Sequence, residues 1–287
     1  MESEMDDIET LGVVGAGQMG RGITQVAAQS GYSVMMFDVH EKGLEMGYEF
    51  IQNQLAKGVT KGKWDQRTAT ESLERISKSL DMSDLRDCDM VIEAATENKA
   101  IKFEIFRNLD NLIKDEAILA SNTSSISITE IAAVTDRPGK IAGMHFMNPV
   151  PVMKLVEGIR GLETTEETFN TVETVAVNMG KIFVKANDVP GFAVNRILMP
   201  MINEAVYTLS EGVASAEDID LAMKLGCNQP MGPLELADFI GLDTCLSIME
   251  VLHEGLGDTK YRPCPLLRKY VQAGRLGRKT KKGFFEY

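Results

Sequence analysis

Apolar positions in the first two-thirds of the chain follow two alternating rhythms. Short, largely apolar runs at 11–14, 32–37, 90–93, 118–120 and 140–144 predict strands, the one at 90–93 buried, and 154–158 and 181–185 are further strand candidates. Between them, apolar residues recur at helical spacing. Met19, Ile23, Val26, Ala27 and Ser30 form one face; Ile101, Ile105, Leu109 and Leu112 predict another over 101–113. Helical stretches are also predicted at 38–57, 65–80 and 165–179, with a Gly/Lys-rich break at 57–63. Such alternation predicts a Rossmann-like, mostly parallel α/β sheet with a helical appendage. The rhythm changes at Asp188-Val189-Pro190-Gly191, where proline and glycine punctuate the chain. Beyond it, Leu198, Met201, Ile202, Ala205, Val206 and Leu209 keep helical spacing, as do Ile219, Ala222 and Met223, then Leu234, Ala237 and Leu242. No strand is predicted there before the last few residues. Two domains follow: 1–188, and an all-α domain at 189–287.

The first predicted strand runs into Gly15-Ala16-Gly17-Gln18-Met19-Gly20, a G-x-G-x-x-G turn opening a helix, and the next strand ends in Asp38. Strand, glycine turn, helix, strand and acid, in that order, form a dinucleotide-binding pattern. Gly15 permits the tight turn, Gly17 lets a pyrophosphate approach the backbone, and Gly20 lets the helix pack on the strand. Gln18 and Met19 bring the first N–H groups of the helix to the phosphates. Asp38 is placed to accept from an adenosine ribose and to repel a 2′-phosphate. The expected cofactor is therefore NAD; His40 and Lys42 close by leave NADP open.

Composition narrows the partners. With 287 residues, 44% hydrophobic and 25% charged, the chain is that of a soluble globular protein. A net charge of −12 argues against nucleic acid or an anionic membrane as partner. No apolar run approaches a membrane span. The acidic segment 1–7 lacks the features of a signal peptide and reads as a frayed tail. Cys88, Cys227, Cys245 and Cys264 are widely spaced and only three histidines exist, which argues against a zinc site and for a reduced, cytoplasmic protein.

In such a sheet ligands meet the carboxyl ends of the strands. The expected substrate position is between those loops and the helical domain. His145 ends one predicted strand there, and imidazole is the usual proton acceptor in alcohol oxidation. Glu157, near the end of the next strand, can hold its tautomer. The alternative is a core histidine bonded to backbone with a solvated acid. Ser121-Asn122-Thr123-Ser124-Ser125 can orient a carbonyl or cap the helix expected near Ser127. Asn195, with Arg196, can donate to a substrate oxygen or serve a helix N-terminus. Lys57, Lys61 and Lys63 form a basic cluster, as do Arg275, Arg278, Lys279, Lys281 and Lys282. Each reads as a solvated face or, for the first, as a phosphate contact.

Taken together, Gly12–Ile23, 92–98, 120–125, 145–151, 153–157, 188–192 with Asn195-Arg196, 231–236, 241–243, 277–280 and 283–284 resemble the L-3-hydroxyacyl-CoA dehydrogenase family, and within it the bacterial 3-hydroxybutyryl-CoA dehydrogenases. The resemblance spans Leu11 to Tyr287. It implies His145 as catalytic base, Glu157 as its paired carboxylate, and Ser124 and Asn195 as bonding the substrate 3-oxygen. It also implies Asp38, Glu97, Lys102 and Asn122 at the cofactor, Lys57 and Lys61 at coenzyme A phosphates, and a homo-oligomer built on the helical domain. The implied reaction interconverts a short (S)-3-hydroxyacyl-CoA and its 3-ketoacyl-CoA. A dehydrogenase of a free hydroxy or sugar acid, and a non-catalytic dinucleotide-binding protein, are the alternatives.

Overall fold

The computed structural model describes residues 8–287; the predicted acidic tail lies outside them. The chain forms two compact units, one ending at Asp188 and one spanning Val189–Tyr287.

The first unit runs β1 (Thr10–Val14), α1 (Gln18–Gln29), β2 (Ser33–Phe37), α2 (Glu41–Thr60), α3 (Gln66–Glu74), β3 (Ile76–Ser79), β4 (Met90–Glu93), α4 (Lys99–Leu112), β5 (Ile118–Ser121), α5 (Ile128–Ala132), β6 (Ile141–Phe146), β7 (Leu155–Arg160), α6 (Glu166–Asn178) and β8 (Ile182–Asn187). The strands form one sheet in the order β3-β2-β1-β4-β5-β6-β7-β8. Every pairing is parallel except β6 with β7. Leu11, Val13, Met90, Ile92, Ile118 and Met144 are wholly buried, as strands covered on both faces require. The order reverses between β1 and β4, so their carboxyl ends open the crevice where ligands bind in doubly wound sheets.

Three local expectations are corrected. The helix predicted over 65–80 stops at Glu74, and Ile76–Ser79 is a strand paired with β2. Leu73, Ile76 and Leu80 keep helical spacing, but the backbone of Ile76–Ser79 finds its partners along Val34–Phe37 instead. The break predicted at 57–63 comes late, because α2 continues through Gly58 to Thr60. Gly58 is a notch for Trp64: a Cβ there would lie 1.9 Å from the indole ring, whose Nε1 donates to the Leu55 carbonyl at 2.9 Å. Of the predicted stripe on α4, Leu109 is buried as expected, but Lys102 and Phe106 share its buried face in place of Ile101 and Ile105, and Ile101 is half exposed.

The second unit is helical: α7 (Val194–Ser210), α8 (Ala216–Gly226), α9 (Pro233–Ile240), α10 (Leu242–Leu256) and α11 (Pro265–Gln272). Met199, Ile202, Val206, Leu234, Leu242 and Leu252 form its core. Its last residues make only isolated bridges, Gly277 with Lys282 and Lys282 with Glu286. Buried Asp238 anchors them, accepting from the Phe284 and Phe285 N–H groups at 3.0 and 2.9 Å. Among the described residues, no helix is long and apolar enough to cross a membrane.

Candidate active site

The glycine turn has the geometry its sequence demands. Gly15 sits at φ +101°, where a side chain is strained, and a Cβ there would lie 2.8 Å from the Ala95 Cα. A Cβ on Gly20 would lie 1.7 Å from the Gly15 carbonyl oxygen, so only glycine lets α1 begin so close to the turn. A Cβ on Gly17 would meet no protein atom within 4 Å, so the backbone there faces open space. Gly17 is the N-cap of α1 without a side-chain cap, and no acid stands in the first turn. The first N–H groups of α1, those of Gln18, Met19 and Gly20, thus suit an anion.

Asp38 closes this turn. Its Oδ2 accepts from the Ala16 N–H at 2.8 Å and its Oδ1 from the His40 N–H at 2.9 Å. Each oxygen keeps a second lone pair for a ligand hydroxyl. Beside it lies a cavity of about 460 Å³ walled by Val14, Phe37, Ile101 and Ile105, with Asp38 and His40 also lining it. The α4 isoleucines expected in the core instead give this cavity an apolar wall. Acid, apolar wall and open glycine backbone together fit the adenosine and pyrophosphate of a dinucleotide.

Farther along the same sheet edge, β6 and β7 pair His145 directly opposite Glu157. Nδ1 of the imidazole lies 2.8 Å from Glu157 Oε2, and Nε2 lies 3.0 Å from Ser124 Oγ. His145 is 5% exposed and Glu157 fully buried. A carboxylate only accepts, so the proton sits on Nδ1 and the Nε2 lone pair points toward Ser124. The Ser124 N–H donates to Glu97 Oε1 at 2.5 Å, and the Thr123 hydroxyl donates to Glu97 Oε2 at 2.7 Å. Asn122 accepts the Phe146 N–H on its Oδ1 at 2.9 Å, locking the end of β5 to the end of β6. Gln18 donates to Asn148 Oδ1 at 3.0 Å, joining the glycine turn to the loop after His145.

His145, Glu157, Ser124 and Glu97 thus form one hydrogen-bonded group, and Asn122 lies next to it through its bond to the Phe146 N–H. Capping of α5 falls to Ser127 and to Asp188, whose carboxylate accepts the Ile128 and Thr129 N–H groups and the Ser127 hydroxyl. Lys57 and Lys61 lie at the exposed C-terminal end of α2, outside this group. Asn195 is buried in the first turn of α7. Lys102, expected at the cofactor, is 1% exposed, with its ammonium paired to Glu93 and 3.4 Å from Ser121 Oγ. Glu93 is not among the sequence-predicted site residues; its signal is a charge closing an apolar run that predicts burial.

Comparison with known proteins identifies the family. Residues 10–189 match the model for the 3-hydroxyacyl-CoA dehydrogenase NAD binding domain, and 191–287 match that for the C-terminal domain. The chain is 58% identical over 281 residues to a probable 3-hydroxybutyryl-CoA dehydrogenase of Bacillus subtilis, covering 98% of each. It is 56% identical over 280 residues to the 3-hydroxybutyryl-CoA dehydrogenase of Bradyrhizobium diazoefficiens, covering 98% of this chain and 96% of that one. The crystal structure of the (S)-3-hydroxybutyryl-CoA dehydrogenase of Ralstonia eutropha superposes with a TM-score of 0.96 at 50% identity, covering 98% and 99% of the two chains. With both domain models matched in order and the dinucleotide turn in place, the chain belongs to the 3-hydroxyacyl-CoA dehydrogenase family and its cofactor is NAD.

Proposed function

We propose that this enzyme interconverts a short-chain (S)-3-hydroxyacyl-CoA, 3-hydroxybutyryl-CoA, and its 3-ketoacyl-CoA, with His145 as general base and acid. The observation that carries the mechanism is the line Glu157, His145, Ser124, held at 2.8 and 3.0 Å on the sheet edge that bears the glycine turn. The names of the relatives support the substrate.

When bound, the nicotinamide supplies the hydride acceptor. His145 Nε2 takes the hydroxyl proton of the substrate as its C3–H bond breaks, and Glu157 stabilises the resulting imidazolium from the Nδ1 side. Ser124 donates its hydroxyl to the forming C3 carbonyl oxygen, the role the resemblance also gives Asn195. In the reverse direction the imidazolium returns the proton. A positioned acid–base group contributes roughly 10² to 10⁴ in rate. His145→Ala therefore loses about that factor in kcat while NADH affinity, read by fluorescence titration, stays near wild type; near-normal turnover would refute the role.

Lys57 and Lys61 fit the coenzyme A phosphates, being exposed ammonium groups in an otherwise acidic chain. Assembly as a homo-oligomer through the helical unit is supported by Ile197, Val213 and Leu225, which are 72, 70 and 78% exposed. A single-chain mass by light scattering would contradict it. We place the enzyme in the cytoplasm; the four cysteines, all free thiols, support a reducing compartment.

A further inference from the structure

Arg21 has no part in the proton transfer at His145, yet the chain holds it in a particular way. It stands near the start of α1 and is half-buried. Its guanidinium carbon lies 3.7 Å from the centre of the Phe50 ring on α2. Among the described residues no carboxylate pairs with it, and its buried Nε has no acceptor. An arginine without an acid is unexpected in a chain of net charge −12. Stacking on an aromatic face seats a guanidinium and leaves the N–H donors along its edge for another group.

The neighbours of Arg21 give the site a direction. The next residue packs on the loop after His145: a Cβ on Gly22 would lie 2.9 Å from the Val150 Cβ. Gln18, at the start of the same helix, reaches that loop at Asn148. On the other side α2 packs against the glycine turn, where a Cβ on Gly47 would lie 2.7 Å from the Ala16 carbonyl oxygen. From there Phe50, Gln54, Lys57 and Lys61 recur at helical spacing, on one face of α2 and its C-cap. By the rise of a helix, Phe50 precedes Lys57 by about 10 Å and Lys61 by about 16 Å. No acid of α2 shares that face; Glu45, on another, pairs with Lys78. Arg21 and Phe50 thus lie between the loop of His145 and the exposed lysines.

A thioester whose acyl end meets His145 and whose phosphates meet Lys57 and Lys61 has its pantetheine arm between them. That arm is uncharged. It offers amide carbonyls, which accept from guanidinium donors, and methyl groups, which suit an aromatic edge. We propose that Arg21, seated on Phe50, is a further substrate-binding residue that donates to an amide carbonyl of the pantetheine arm. This placement rests on the reading of His145 and of the two lysines given above.

The test is steady-state kinetics of Arg21→Met with acetoacetyl-CoA and with acetoacetyl-pantetheine, which lacks every phosphate. Methionine keeps an unbranched apolar stem over Phe50 and removes the donors. KM is expected to rise about tenfold for both thioesters, with kcat within about twofold of wild type and NADH affinity unchanged. A purely structural role would lower Tm without singling out the thioesters. A rise for acetoacetyl-CoA alone would assign Arg21 to the phosphates beside Lys57 and Lys61, and would overturn the proposal. NADH binding weakened by a comparable factor would assign it to the dinucleotide turn and overturn it too, as would KM values within about twofold of wild type for both thioesters. If Arg21→Met is not recovered folded, Phe50→Leu decides in the same way: it leaves α1 intact, unseats the guanidinium and is expected to raise both KM values about threefold. Lys57→Glu with Lys61→Glu judges the lysine reading separately, because it acts on acetoacetyl-CoA alone. A wild type that turns over neither thioester would refute the functional reading and this proposal with it, whereas an active wild type beside an unaltered Arg21→Met overturns the proposal only.

Discussion

Glu157→Gln tests the carboxylate's share of catalysis. The substitution keeps the shape of the side chain and removes its charge. In the wild type the carboxylate lies 2.8 Å from His145 Nδ1, both residues being at most 5% exposed, so solvent screens the pair little. Opposite unit charges about 4 Å apart attract by roughly 4 kcal/mol at an effective dielectric of about 20. If half to most of the imidazolium charge has formed in the transition state, the loss is about 2–4 kcal/mol. At 1.36 kcal/mol per decade, kcat falls about 30-fold to 10³-fold. A second effect acts in the same direction. The amide can turn its NH₂ toward Nδ1, moving the ring proton to Nε2, where it blocks acceptance from substrate. The assay is steady-state oxidation of NADH with acetoacetyl-CoA, alongside a fluorescence titration of NADH. Lost kcat with NADH affinity kept is the expected pattern. A kcat within about threefold of wild type would refute the reasoning, because no charge stabilisation of the imidazolium could then be operating.

Asp38→Ala removes the acceptors of the Ala16 N–H in the glycine turn and of the His40 N–H, and the charge facing a 2′-phosphate. NADH affinity should fall about tenfold and the preference for NADH over NADPH should shrink by at least as much; an unchanged preference would remove Asp38 from cofactor choice. Lys57→Glu with Lys61→Glu should raise KM for acetoacetyl-CoA about tenfold and leave a pantetheine-truncated substrate nearly unaffected, whereas an equal effect on both would detach these lysines from the phosphates. Lys181 is buried, and its ammonium donates to the Val150 and Met153 carbonyls at 2.5 and 2.9 Å, holding the loop after Asn148. Burial lowers its pKa from the ordinary 10.5, so the folded chain binds fewer protons and the stability due to Lys181 rises with pH from that lowered value up to 10.5. The drop in Tm on Lys181→Met should therefore be larger near pH 9.5 than near pH 7.5, and an equal or smaller drop would contradict this.

What was legible in the sequence follows from how local each constraint is. The glycine turn was legible because Gly15 and Gly20 answer to atoms within a few residues of themselves or to a φ only glycine tolerates. The pairing of His145 with Glu157 was legible as one of two readings of strand position, and the resemblance favoured it: twelve residues separate them, and what joins them is the antiparallel register of β6 on β7. β3 was missed because its four residues carry a single large apolar side chain and its fate is decided by β2, some forty residues earlier. Gly58 read as a break because the indole that fills its notch belongs to the next segment. On α4 the apolar stripe contained two isoleucines that face a cavity, while a lysine occupies the core face. Periodicity assumes that apolar residues seek the core, and it errs where a ligand site needs an apolar wall or a buried charge finds its partner.

The most direct test of the central claim is the rate of NADH consumption at neutral pH with acetoacetyl-CoA, run beside NADPH and beside free acetoacetate. Rapid turnover with the thioester and NADH, and little with either substitute, is the predicted result. Turnover with the free acid alone, or tight NADH binding without turnover of either substrate, would contradict it.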